Sequence, residues 1–586
     1  MNTCADITTL RTLIPSVDGE LIAVTAYYAG WQGDDKWQSG GGVFKASKAP
    51  GLADDKGLHI KPNEEWTWIR ELSGYPVMVS PNMFGARGDG VTDDTAALTA
   101  AFLTPYMTVC QQGATYMTSD TVRIKNGQTT KKIINLNGAT LKAKAGHLKP
   151  FFADEFSSAE RYEYLHGVEM FGGRLYGWVK RESAYHQVSA HNGFVAGDKS
   201  YFYHMSVRGF CDGMVLMGDS VAFDVNIDEC RDNLFTVNNE GNVVSNVTGG
   251  YCLGDGFLVK GTKNIVTRVA IAGAGISANT VEPGYRAGSV FAVGQDNAPT
   301  SDCYIIDISC QEWGGGVAIV AGQNILCEHI SAGNCHYLST PNSSAILNGA
   351  PVVYADGVGH IIRHIKAGKS LRGVELHDGA MNVSIDDISI DACSIHPGLS
   401  ASGSQSGCHI GSLAFGRLTG NQSLYLAMAG LVIDEISVNE YATTYVSGGR
   451  VCVIRQPLTI GSLVFNSSLA TNTLPVVVME SNADIGDLVV NNNRAVCLLT
   501  AAHVTSLPKN LTIQQTTDAM DSAVKLFGQG DSRVAAWRIK GNPSVRPAVR
   551  GEGVRLTLER YPADSLPWYI EYPASSSVTI LDSSLM

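Results

Sequence analysis

The feature that most limits what this chain can fold into is a short apolar pattern, h-x-x-h-x-h, that returns along most of its length. Its clearest copies are Ile385-Asp-Asp-Ile-Ser-Ile390, Ile410-Gly-Ser-Leu-Ala-Phe415, Ile433-Asp-Glu-Ile-Ser-Val438, Ile460-Gly-Ser-Leu-Val-Phe465 and Ile485-Gly-Asp-Leu-Val-Val490. Fainter copies start at Phe202, Ala222, Val244, Val266, Ile305, Cys327 and Ile362. A second apolar run echoes within the units, as in Asp212-Gly-Met-Val-Leu216, Asp232-Asn-Leu-Phe-Thr236 and Asp255-Gly-Phe-Leu-Val259. Two or three short strands in every ~20–25 residues form one coil of a parallel β-solenoid; a propeller blade needs about twice that length. A lone coil cannot bury its inner face, but each coil in a stack covers the next. The 63 glycines suit such a turn-rich chain.

The repeat stretches twice, between Val266 and Ile305 and between Cys327 and Ile362. Insertions of that size project as loops from one face of a solenoid, which is often the binding face. The first carries Glu282, Tyr285, Arg286 and Asp296; the second carries His336 and Tyr337.

Some function classes fall away. The net charge is −12 and no basic stripe is visible, so no nucleic-acid partner is expected. No stretch approaches the ~18 apolar residues of a membrane span, so no membrane insertion is expected. The N-terminus shows no signal-peptide pattern; a role outside the cell would rest on lysis or on carriage by a particle. Thirteen cysteines in apolar settings, without a CxxC pair, read as free buried thiols, and neither metal nor cofactor is expected.

Upstream of the coils lies Met83-Phe-Gly-Ala-Arg-Gly-Asp-Gly-Val-Thr-Asp-Asp-Thr-Ala-Ala-Leu-Thr-Ala-Ala-Phe102. It reads as a loop and then a helix over 93–103, capped by Asp93 or Asp94, with Ala97, Leu98, Ala101 and Phe102 on one face. Such a helix could plug the open end of a solenoid. The stretch closely resembles the N-terminal motif of the pectate-lyase-like β-helix superfamily, in which its aspartates are structural. Gly40-Gly-Gly-Val-Phe-Lys45 and Trp66-Thr-Trp-Ile-Arg70 precede it, an order similar to the front of phage tail-spike polysaccharide depolymerases.

The resemblance implies an all-β, right-handed, single-stranded parallel β-helix with an N-terminal capping helix. It implies a homotrimer carried on the phage tail, attached through its N-terminus and acting on a bacterial surface polysaccharide. The expected division is a virion-docking segment at 1–30, a neck module at 31–80, the helix at 81–512 and a C-terminal β-sandwich-like domain at 513–586. That last domain would clamp the trimer or bind sugar; its segments 534–539, 554–558 and 568–572 alternate like antiparallel strands.

Glycosidic hydrolysis needs two carboxyl groups, one to protonate the leaving oxygen and one to activate water or attack. Asp212, Asp232 and Asp255 recur at one expected phase, which would stack Asp232 and Asp255 about one coil, ~4.8 Å, apart. Their surroundings loosely resemble the catalytic coils of polygalacturonases, although Ala274 stands where that family has histidine. Turn-forming aspartates before glycine or asparagine would look the same. Glu282 and Glu312 are the competing acids. Trp313 could stack on a sugar, and Arg286 could pair with a uronate. Arg231, Tyr285, His336 and Tyr337 complete the expected substrate-binding set. Glu375 and His377 share a strand face. Hydrolysis is preferred over β-elimination, with a non-catalytic adhesin as the remaining alternative.

Overall fold

Copies of the repeat from Phe202 to Ile385 are strands bent at the third position. In Tyr201–Arg208, Val221–Asp228, Val243–Tyr251 and Ile265–Ala274 the bend falls at His204, Asp224, Asn246 and Arg268, whose φ values are 53, 51, 54 and 54°. One left-handed residue re-aims the strand, so the apolar residues on both sides of it point inward. The computed structural model describes residues 1–586 apart from 32–38, 49–50, 75, 158–163, 181–182, 184–187, 277–287, 295–298, 337–350, 395–396, 404–406, 420–422, 443–449, 469–475, 494–498, 503–505, 516–523, 541–548, 561–576 and 582–586. It divides into one unit of Met1–Ala272 with Ser277–Thr280 and another of Gly273–Ile276 with Val281–Met586.

In the first unit the bent strands pair parallel with their counterparts one coil on, Phe202 with Ala222 and Ala222 with Val244. Short strands form another wall, with Met214 on Phe235 and Phe235 on Phe257. The second unit repeats the scheme. Ile305, Cys327, Ile362, Ile385, Ile410, Ile433, Ile460 and Ile485 make one inner column, every member 0% exposed. Its corners are left-handed at Asp307, His329, His364 and Asp387. Beyond them the unpaired corner residue falls one place earlier in the repeat, at Gly411 and Asp434. A Cβ on Gly411 would stand 2.2 Å from Asp386 Oδ1, an oxygen that accepts from the Ser412 amide. The twelve described cysteines are free and buried, as expected.

Both ends of the expected division need correction. Asn2–Cys4, Leu21–Ala26, Gly40–Ser47, Thr67–Arg70 and His59–Ile60 lie side by side in one sheet, so no boundary falls at residue 30. Gly42 makes room for the buried Arg70, on which a Cβ there would impinge at 2.6 Å, and the Arg70 guanidinium donates to the Gly40, Gly41 and Gly57 carbonyls at 3.0, 2.6 and 2.9 Å. Nor do the described C-terminal strands form an antiparallel sandwich. Asn510–Gln515, Val524–Lys540, Val549–Arg560 and Ser577–Ile580 pair parallel, and the inner column continues from Leu488 to Leu511 to Trp537. Alternation along a strand does not record its neighbour's direction, which is why the sequence misled here.

The helix Thr95–Phe102 buries Leu98, Ala101 and Phe102. Asp94 stands at its N-cap but turns away, accepting from the Arg87 and Gly88 amides at 2.7 and 3.0 Å. Burial pushes its carboxyl up to about 6. Asp93 accepts from the Thr95 amide, and Asp89 from those of Val91 and Thr92, so all three aspartates are structural. Below the helix's last turn lies the buried Lys132. Its ammonium donates to the Thr104 and Tyr106 carbonyls at 2.9 and 2.6 Å and to Thr108 Oγ1 at 2.9 Å. Burial lowers its pKa to about 7. The ordinary lysine value is about 10.4, so the unfolded chain holds the extra proton in between, and this residue's contribution to stability rises with pH from about 7 to about 10. Lys132→Met should cost about 1–3 kcal/mol through the stranded carbonyls and flatten that rise. Thermal melts of both proteins at several pH values would show it; equal pH slopes would contradict it.

Candidate active site

In the first unit, the turns before the short strands carry a ladder of Asx side chains. The Asp212 amide donates to Asn192 Oδ1 at 3.2 Å. Asp212 Oδ1 accepts from the Asn233 amide and Nδ2 at 3.3 and 3.2 Å, and Asn233 Oδ1 accepts from the Asp255 amide at 2.8 Å. Each side chain thereby satisfies a backbone donor on the next coil. The rung between Asp212 and Asp255 is Asn233, not Asp232. The sequence hid this one-residue shift because Leu234 and Phe235 are both fully buried, so alternation fixes no phase. The Phe235–Phe257 ring stack, 5.2 Å between centroids and 7° between planes, marks the true register.

Asp232 therefore leaves the ladder and is partly exposed. A carboxylate oxygen of Asp232, one of Asp212 and the Cys211 sulfur lie within 4.8 Å of one another. Gly254, on the next coil, permits this placement: a Cβ there would stand 2.4 Å from Asp232 Oδ1. Asp255 is a buried rung of the ladder, and the carboxyl placed within 4.8 Å of Asp232 is that of Asp212, where the sequence paired Asp232 with Asp255. Arg231, expected to bind substrate, is 1% exposed, and its Nε donates to the Ser183 carbonyl.

In the second unit, the strand Tyr304–Trp313 ends with Gln311 and Glu312 both outward. That doubled step sends Trp313 inward, where it is fully buried and donates from Nε1 to the Gly333 carbonyl at 2.8 Å. It is a core residue, not a platform for sugar. Glu312 and His336 do come together, with Oε2 and Nδ1 at 3.4 Å and side chains 48% and 36% exposed. Glu282, Tyr285, Arg286, Asp296 and Tyr337 lie outside the described residues.

A further polar patch in this unit was only partly visible in the sequence. Tyr354 pairs with Glu375 across adjacent coils. Arg372 Nη2 meets Glu375 Oε2 at 2.9 Å, and His377 Nδ1 meets Asp356 Oδ2 at 3.5 Å. Burial first, then Asp356, Glu375 and Asp378, push the Tyr354 hydroxyl up to about 12. The Glu375/His377 alternation was legible; the tyrosine and aspartates arriving from the preceding coil and the following turn were not.

Residues 3–73 match the family model described as phage tail protein small four-stranded beta-sheet domain. No curated protein matches by sequence. Among solved structures, one similar chain is WceF of Pantoea stewartii, a glycan biofilm modifying enzyme with a bacteriophage tailspike-like parallel β-helix fold. It shows 16% identity and a TM-score of 0.34 over 62% of this chain and 47% of that one. Another is tailspike protein 2 of an Escherichia coli O157:H7 bacteriophage, at 13% identity and TM-score 0.32 over 82% and 55%. A third is tailspike gp49 of Acinetobacter baumannii bacteriophage Fri1, a capsular polysaccharide depolymerase, at 10% identity and TM-score 0.38 over 81% and 76%. The chain spans about half the length of the first two.

The ladder and the exposed acid should separate in stability measurements. Asn233→Ala removes the acceptor of the Asp255 amide and one of the donors to Asp212, and should cost about 1–3 kcal/mol. Asp232→Asn, outside the ladder, should stay within about 0.5 kcal/mol. Denaturant unfolding of the two variants tests the assignment; equal losses would put Asp232 back among the rungs.

Proposed function

We propose that this chain is a phage tail-spike that binds and depolymerises a bacterial surface polysaccharide. The observation that carries the reading is the combination of a phage-tail β-sheet domain at residues 3–73 with coil after coil of parallel β-helix behind it. A β-helix wall is long and stiff, and suits a polymer bound along several coils. The N-terminal sheet joins the tail, the spike is a homotrimer, and the target is a capsule, exopolysaccharide or O-antigen.

Hydrolysis is the reaction the first unit supports best. Oxygens of Asp212 and Asp232 lie within 4.8 Å, close to the ~5–5.5 Å between carboxyl groups in retaining glycosidases. Asp232 is the acid that reaches solvent. Asp212, buried and accepting from the Asn233 amide and Nδ2, is the second carboxyl beside it. In the hydrolysis, Asp232 gives its proton to the departing glycosidic oxygen, and water supplies the hydroxyl to the sugar and a proton back to Asp232.

A second reading is favoured by the patch of Arg372, Glu375, Asp356 and His377, where the guanidinium could neutralise an acidic sugar and a carboxylate could serve as acid. Glu312 beside His336 remains the competing acid from the sequence.

Purified protein incubated with capsular polysaccharides decides among these. Chain shortening without unsaturated-uronate absorbance is the expected result; shortening with that absorbance would make the protein a lyase, and binding without shortening an adhesin. Asp232→Asn should lower cleavage at least about 100-fold while the oligomer stays intact. Full activity in that variant, with loss in Glu375→Gln, would move the site to the second unit.

A further inference from the structure

We infer that Glu328, His329 and His364 form a binding site for one divalent transition-metal ion of the zinc type, on a corner of the second unit. A ligand atom of each of the three lies within 4.8 Å of the others. His329 and His364 occupy the same corner position on adjacent coils, both left-handed, with φ of 55°. Glu328 precedes His329 and is the least exposed of the three, at 15%.

The surroundings orient the ligands in the way metal sites do. His329 Nδ1 lies 3.3 Å from Asp307 Oδ1, and His364 Nδ1 lies 2.8 Å from Asp387 Oδ2. The two aspartates are themselves corner residues of the flanking coils, so one carboxylate stands behind each imidazole. A carboxylate holding Nδ1–H fixes the tautomer that leaves Nε2 with its lone pair and makes that nitrogen more basic. His329 Nε2 already faces Glu328 Oε1 at 3.7 Å.

The rings stack, with centroids 5.1 Å apart and planes at 21°. Both side chains are about half exposed, so a modest swing of either ring brings its free nitrogen onto a shared ion. Arg363 Nη2 sits 3.1 Å from Glu328 Oε1 and covers one side of the carboxylate; the ion would take the other. Two imidazoles and one carboxylate, with water completing the shell, suit zinc, cobalt or nickel better than calcium or magnesium. His329 and His364 lie on either side of residues 337–350 in the chain. A bound ion would therefore join the two coils that flank this insertion, independently of the function proposed above.

The test uses the full chain, first stripped with a chelator. Zinc titrated by calorimetry should bind one equivalent per chain and raise the melting temperature. Cobalt should give a visible d–d spectrum that saturates at the same ratio. His329→Gln with His364→Gln should abolish both signals while circular dichroism and chelator-treated melting stay unchanged. Asp307→Asn with Asp387→Asn should weaken binding about 10–100-fold. Absence of saturable one-to-one binding, or binding unchanged in the double histidine variant, would overturn the site.

Discussion

Everything in this molecule depends on the parallel backbone pairing of one coil with the next. In each unit, a residue's position is set less by its sequence neighbours than by the residue one coil away. Ile385 lies under Ile410 and over Ile362, and all three are sealed from solvent. Burial of such a column is the main favourable term, at about 25 cal/mol per Å² of apolar surface. It is available only when the coils stay in register, because a one-residue slip would turn the column outward.

That dependence explains what the sequence revealed. The inner columns were legible because the same residue types recur at the same phase, and h-x-x-h records the corner as well: two residues in succession at the bend, which is left-handed in the copies up to Asp387. The capping helix was legible because its motif is nearly complete. Asp94 was misread only in detail, as its side chain prefers two loop amides to the helix it precedes.

The failures share one cause. Phase is ambiguous wherever two adjacent residues are both buried or both exposed. Leu234 and Phe235 hid the shift that makes Asn233 the rung and frees Asp232. Gln311 and Glu312 hid the flip that buries Trp313. Arg231 looked like a solvent cation because nothing local shows that a loop carbonyl from Ser183 will cover it. At the C-terminus, the segments 534–539 and 554–558 were given the wrong partners, and 568–572 lies outside the described residues. Pairwise features such as Tyr354 over Glu375 belong to two coils at once and are invisible to a linear reading.

The free thiols carry a consequence for how such a protein ages. Burial alone pushes Cys110 and Cys452 up to about 12, and it dominates at Cys310 and Cys393, also about 12. A thiol that stays protonated is a poor nucleophile and is slow to meet oxidants. Sulfur in these walls behaves as one more aliphatic atom. Air or peroxide would therefore act first on exposed methionines such as Met78, not on these thiols.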